Sequence, residues 1–322
     1  MPQACDTAYC ALCARAIRDR AAAARALIAP VREAADTEAV HDMRVATRRL
    51  RSALTLFEPC LPRRARTWRK AVRRITRALG RARDLDVQIE TLQAAIAAHP
   101  AWREGLTGLL ATLTIRRRAA QREVVSALAR SRRRGVLEEI DSALARIAQA
   151  LPPRGAAWEK AFRRAQKAVL GLLDDLMSYQ GDLKRPRAGA RHHRMRIAAK
   201  WLRYSLEVFE PMYGRSVARA LRAAKGMQSL LGDMHDSDVW EELLGELPPA
   251  PSDSARTLEA FARDRRRRRR ALYEQALTYW RKCQKEHVWP QLRHTLAAAG
   301  VPKPPRRRRA PGAAKPRAAR SR

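Results

Sequence analysis

Residues 41–59, HDMRVATRRLRSALTLFEP, return as residues 193–211, HRMRIAAKWLRYSLEVFEP, with ten of nineteen positions identical at an offset of 152. The same offset carries Leu79, Gly80, Asp84, Asp86 and Val87 onto Leu231, Gly232, Asp236, Asp238 and Val239, without a gap across residues 41–88 and 193–240. Chance similarity between helices drifts in register and does not reproduce His, Gly, Asp and Glu-Pro together. The chain therefore reads as a duplicated unit. Two copies are too few for a solenoid. Two packed helical bundles about a pseudo-twofold axis are the simpler architecture.

Both copies read as helix. Apolar residues recur at helical spacing nearly everywhere, and alternating Val, Ile and Thr runs are absent. Breakers at Pro30, Pro59 and Pro62, Gly80, Pro100, Pro152-Pro153, Pro186 to Gly189, Gly214, Gly232 and Pro248 to Pro251 divide the chain into about ten helical segments. The expected organisation is all-α, one domain over residues 1–300 with halves at about 5–150 and 155–300. Residues 301–322, rich in Pro, Arg and Ala, are expected to form a disordered basic tail.

Charge narrows the partners. Lys plus Arg total 67 against 32 Asp plus Glu, a net +35 over 322 residues. Residues 303–322 hold nine basic side chains and no acidic one, and +26 remains without them. Such an excess costs self-repulsion in the folded state and attracts polyanions: nucleic acid, anionic membrane or polyphosphate. No run of 18 apolar residues exists to span a membrane. Asp6 and Arg15 interrupt any signal-peptide pattern. Five cysteines, Cys5, Cys10, Cys13, Cys60 and Cys283, form no framework, which suits reduced thiols in a cytosol. The single C-x-x-C at Cys10 and Cys13 reads as cysteines on an Ala-rich helix rather than a zinc or redox motif.

The repeated helix carries the candidate site. His41, Arg44, Arg48 and Arg51 fall at i, i+3, i+7 and i+10, one stripe about 15 Å long. Met43, Leu50, Leu54 and Phe57 supply core positions on the same helix. His193, Arg196, Lys200 and Arg203 repeat the stripe. A solvated face is the plain reading of one Arg-rich helix. Here like charges repel along the stripe, yet both copies keep them with no interleaved carboxylate, and a bound anion would offset the repulsion. On the next helix, Arg63, Lys70 and Arg73 match Arg215, Arg222 and Lys225, whereas Arg74 and Arg77 meet Gly226 and Ser229. Arginine suits a phosphate polymer, since its planar fork donates two hydrogen bonds and keeps its proton.

The remaining polar clusters have plainer readings. His41 and His193 fit a helix start as well as a phosphate contact. Asp233, His235, Asp236 and Asp238 resemble metal ligands, but only the last two aspartates are shared with the first copy, as Asp84 and Asp86. Each pair follows a Leu-Gly break, so N-capping and pairing with Arg are preferred over a metal. Residues 265–270, six consecutive arginines, read as a generic electrostatic patch. There is no phosphate-binding Gly-rich loop, no nucleophile elbow and no E-x-E-x-K signature of tunnel triphosphatases. Aromatic residues, at 5%, are too sparse for a stacking platform.

The segments VHDMRVATRRLRSAL (40–54), GRARDLDV (80–87), HRMRIAAKWLRYSLEVFEP (193–211) and LLGDMHDSDV (230–239) together resemble the CHAD family, the conserved histidine α-helical domain. The resemblance covers about residues 5–300. It implies two four-helix bundles about a pseudo-twofold axis, and binding of inorganic polyphosphate along a basic surface between them, often at polyphosphate granules. Family positions fall on His41, Arg44, Arg48, Arg49 and Arg51, and on His193, Arg196, Lys200 and Arg203. Trp201 departs from the pattern, standing where Arg49 stands in the first copy. The expectation is a cytoplasmic, non-catalytic polyphosphate binder without a cofactor. Non-specific nucleic-acid binding is the alternative, since phosphate contacts alone give affinity for DNA. An enzyme acting on polyphosphate ranks third.

Overall fold

The computed structural model describes residues 7–33, 37–150, 158–249 and 251–298, and its regular elements are all helical. Eleven α-helices lie among the described residues: α1 (Thr7–Ala26), α2 (Ile28–Glu33), α3 (Thr37–Leu56), α4 (Ala65–Ala98), α5 (Arg103–Arg133), α6 (Val136–Gln149), α7 (Glu159–Ser178), α8 (Gly189–Tyr213), α9 (Ala218–Gly245), α10 (Ser252–Lys285) and α11 (Val288–Ala298). The expected tail at 301–322, Pro152-Pro153 and Cys5 lie outside the described residues. None of the described helices is long and apolar enough to cross a membrane.

Helix positions keep the sequence offset. Moving α1 by 152 residues reproduces the bounds of α7, and the starts of α3 and α8, and of α6 and α11, are separated by the same 152. The turn after α5 uses Gly135 at φ 56°, and the turn after α10 uses His287 at φ 53°, again 152 residues apart. A left-handed backbone is easy for glycine and unusual for histidine. The turn geometry is therefore kept where the residue that favours it is not.

Contacts between the two halves join matching helices: α1 meets α7, α3 meets α8, and α5 meets α10. Phe57 and Phe209, also 152 apart, pack edge to face with ring centroids 5.8 Å apart, and Tyr9 covers both. The largest apolar cluster draws on α1, α3, α4 and α6 together with α7, α8, α9, α10 and α11. A smaller cluster closes α2 to α5. A third joins α4 and α5 to α9 and α10 through Leu92, Leu106, Trp240 and Phe261. A shared core of this kind fixes the angle between α3 and α8, the two stripe-bearing helices. Cys13, Cys60 and Cys283 are buried thiols in the largest cluster.

Two expected breaks are not breaks. Gly80 lies inside the 34-residue α4, and Gly232 inside α9. An interior glycine costs a helix only about 1 kcal/mol relative to alanine. Burial of Leu79 and Ala82 on one side, and of Leu231 and Met234 on the other, outweighs that cost. Asp84, Asp86, Asp236 and Asp238 are consequently mid-helix residues, and their reading as N-caps is overturned. His41 and His193 likewise sit in the second turn of α3 and α8 rather than at a helix start. The repeated Glu-Pro also resolves differently in the two copies: α3 ends before a short 3-10 turn at Glu58–Cys60, while α8 runs through Pro211 to Tyr213.

Candidate polyanion-binding groove

Packing α3 on α8 turns their polar faces toward one another. Lys200 is the centre of the result. Its ammonium is half-buried, and its pKa is pushed down to about 8 by burial first, then by Arg48, Arg196, Arg51 and Arg44. Three of those four cations come from α3, in the other half of the sequence. Burial first, then Arg48 and Arg196, disfavours the charge on half-buried Arg44, and burial, then Arg48, that on Arg196. Arg44, Arg48 and Arg51 of α3 and Arg196 and Lys200 of α8 therefore share one basic surface. Arg51 sits on the rim, where burial, Arg73, Arg77 and Arg48 all disfavour its charge, so α4 supplies a wall.

The carboxylates within reach are few and arranged symmetrically. Arg44 Nη2 donates to Asp84 at 3.3 Å, and Asp236 is the first carboxylate to favour the charge on Arg196. Two residues further along each helix, Arg117 is bonded to Asp86 and Arg269 to Asp238, two ion pairs 152 residues apart. Asp84, Asp86 and Asp238 are thus paired with Arg, the other half of the sequence reading, whereas burial pushes the Asp236 carboxyl up. Asp86 is buried, and burial pushes its carboxyl up against the opposing pull of Arg117.

His193 packs edge to face on His235, ring centroids 4.3 Å apart. Burial, His235 and the groove cations Arg196 and Lys200 push the His193 pKa down to about 4, and His235 is lowered by burial and Arg196. Both rings are therefore neutral at pH 7. The His193 Nδ1 and the Arg196 Nε are buried without a hydrogen-bond partner. An Arg Nε–H is always a donor, so this group is left unsatisfied among the described residues. Among the described residues no group of three His, Cys, Asp or Glu comes together to hold a metal ion.

The other expected residues scatter around this centre. His41 is half-buried one turn before Arg44. Arg49 points away from the track: its Nε donates to Glu207 Oε2 at 3.0 Å, beside a cavity between α1, α3 and α8. Arg203 donates to the other oxygen of Glu207 at 2.9 Å and to Gln228 at 3.4 Å, so this carboxylate from α8 holds two of the expected arginines. Lys200 Nζ lies 6.0 Å from the Trp201 ring, where Trp replaces a basic residue. Lys70 and Arg73 are exposed on α4, Arg222 and Lys225 on α9, and Arg63 and Arg215 stand exposed before those helices. Arg77 was missed because its partner position is Ser229; its i, i+4 spacing from Arg73 was the available signal.

The family model of the CHAD domain matches residues 15–245, more than two thirds of the chain. Among solved structures, the crystal structure of the CHAD domain from the plant Ricinus communis is similar with a TM-score of 0.60 and 26% identity, covering 92% of this chain and 95% of that one. PptA from Streptomyces chartreusis gives a TM-score of 0.62 at 20% identity over 84% of this chain and 98% of that one, a likeness of fold. No curated protein matches. On the extent of the family match, this chain belongs to the CHAD domain family.

Proposed function

We propose that this chain binds inorganic polyphosphate along the α3–α8 track and performs no chemistry on it. The observation that carries the reading is the convergence of Arg44, Arg48, Arg51 and Arg196 on Lys200. Five cations gathered on one surface, with Asp84 and Asp236 as the nearby counter-charges, destabilise the unliganded protein and reward a linear polyanion. The buried, unpartnered Arg196 Nε supports the same reading. Contacts between matching helices, α1 with α7 and α3 with α8, support two bundles about a pseudo-twofold, which would place the two stripes on either side of one axis. Asp84, Asp86 and Asp238 are engaged by arginines, which favours binding over metal-assisted hydrolysis. Residence on polyphosphate granules in the cytoplasm belongs to this proposal.

Competition between polyphosphate and duplex DNA, at matched phosphate concentration and physiological salt, tests it. Polyphosphate is expected to win, because the half-buried track around Lys200 admits a thin chain more readily than a duplex. Preference for DNA turns the reading toward a nucleoid-type protein. With eight contacts, affinity for polyphosphate should fall with salt on a log–log slope of roughly −5 to −6. Incubation with magnesium or manganese should release no orthophosphate above background; turnover lost in Asp236→Asn would make the protein an enzyme.

A further inference from the structure

A second basic cleft opens on the outer side of the first half, between α4 and α5, with a volume of about 480 Å³. Arg74 and Arg81 line it from α4, Arg122 and Arg130 from α5, and its small lining residues include Ala78 and Ala127. Its one carboxylate, Glu123, is bonded to Arg81. Arg74, Arg122 and Arg130 are exposed and have no carboxylate within ion-pair range among the described residues. Three cations around a hollow floored by methyl groups leave room for an anion of phosphate size to reach each guanidinium.

The second half shows what the same place becomes when it is not basic. The positions 152 residues later are Gly226, Leu230, Asp233, Glu274, Tyr279 and Lys282, matching Arg74, Ala78, Arg81, Arg122, Ala127 and Arg130 in turn. Tyr279 fills the space over Gly226 so closely that a Cβ there would lie 2.5 Å from its ring. Its hydroxyl donates to the Arg222 carbonyl at 3.3 Å. Arg74, Arg81 and Arg122 are thus set against a glycine and two acids, and the alanines against a leucine and a tyrosine. Charge and space change together, in the direction a ligand requires, in one half only. Neither change helps the fold by itself, since clustered cations repel and an open cleft forfeits packing.

We propose that Arg74, Arg122 and Arg130 form a second anion site that takes condensed phosphate, separate from the α3–α8 track and present only in the first half. The ligand class rests on the groove reading; the location does not. The site lies on α4 a quarter turn from Arg73, which faces Arg51 in the track. A chain lying in the track and a second phosphate chain in the cleft could then be held by one protein.

The test is protection of arginines from phenylglyoxal, read peptide by peptide by mass spectrometry, with tripolyphosphate as the probe. Tripolyphosphate is expected to suppress modification of Arg74, Arg122 and Arg130 in the wild type and also in Arg48→Ala/Lys200→Ala, whose track is crippled. Arg122→Glu, which installs the residue found at 274, should abolish protection of Arg74 and Arg130 while Arg48 and Arg51 stay protected. Ala127→Tyr, which imports the plug without touching charge, should do the same, with helical circular dichroism confirming that both variants fold. Protection of the track arginines without protection in the cleft overturns the second site and leaves the groove reading standing. Cleft protection that vanishes in the track variant also overturns it, because the cleft would then be only an overflow of the track. Protection in the cleft with none in the track upholds this site and removes the groove.

Discussion

Helices α4 and α9 occupy matching places beside the track, but they are not equivalent walls. From residue 63 to 77 the first copy sets Arg63, Arg64, Arg66, Arg69, Lys70, Arg73, Arg74 and Arg77; the second has Arg215, Ser216, Ala218, Leu221, Arg222, Lys225, Gly226 and Ser229 at the same positions. The stripes on α3 and α8, by contrast, keep Arg or Lys at all three places after the histidine. The helices at the centre are therefore constrained to be basic twice, while the flanking helix is free to be basic once. That pattern fits a polymer that touches both stripes and leans on one wall. Position in the fold alone does not decide which arginines matter. Arg203 and Arg51 match in sequence, yet Arg203 is bonded to Glu207 while Arg51 faces Arg73 and Arg77.

The comparison breaks most decisively at the centre. Replacing Arg48 and Lys200 with alanine removes one cation from each stripe where the two meet. Each charge-assisted contact is worth roughly 1.5–3 kcal/mol, so the pair should weaken polyphosphate binding by at least about 100-fold. Fluorescence anisotropy with a labelled polyphosphate reads the loss. Unchanged affinity would move the site off the track altogether. Deleting residues 303–322 should cost less, since the track cations all lie between Arg44 and Lys200.

The unequal walls give a second, smaller effect. Arg73→Ala/Arg77→Ala on α4 should cost about tenfold in affinity, one rim contact's worth. Arg222→Ala/Lys225→Ala on α9 should cost only about threefold. Equal losses would mean the polymer runs symmetrically between both walls and that Arg77, for all its nearness to Arg51, adds nothing.

The sequence exposed the centre because identity between the copies is itself a measurement: ten matches in nineteen positions mark the helix that both halves need. It exposed α-helical class for the same reason, through period. What it hid are contacts across long separations. Glu207 lies 158 residues from Arg49, and no local pattern says that this carboxylate captures an arginine that the family pattern assigns to the ligand. Arg117 lies 31 residues from Asp86, which left capping as the local explanation for a mid-helix aspartate. Gly80 and Gly232 looked like ends because glycine usually marks them, and only the burial on either side shows otherwise. Keeping only positions basic in both copies passes over Arg77, which lies near Arg51, and Arg74, which lines the α4–α5 cleft.

Lys200 gives the smallest effect and the most specific one. Its pKa of about 8 in the folded protein lies below its ordinary 10.5, because burial and four arginines disfavour its charge. A base whose pKa is lowered by folding opposes the fold wherever it is charged. The penalty is complete below about pH 8, fades as pH rises toward 10.5, and is gone above it. Lys200→Met keeps the aliphatic stem and removes the charge. It should therefore stabilise the unliganded protein at pH 7 by on the order of 1 kcal/mol, a gain of about 2–4 °C in Tm. The difference in Tm between variant and wild type should shrink between pH 8 and 10, a comparison that cancels the titration of every other group. Ligand reverses the sign. Polyphosphate beside Lys200 favours the ammonium, so wild-type affinity should fall as pH rises through 8 while the affinity of Lys200→Met stays flat. A wild-type protein that is the more stable of the two at pH 7 without ligand would show that the stripes are not strained by their own charge. Self-repulsion along the stripes would then give no reason for a bound polyanion.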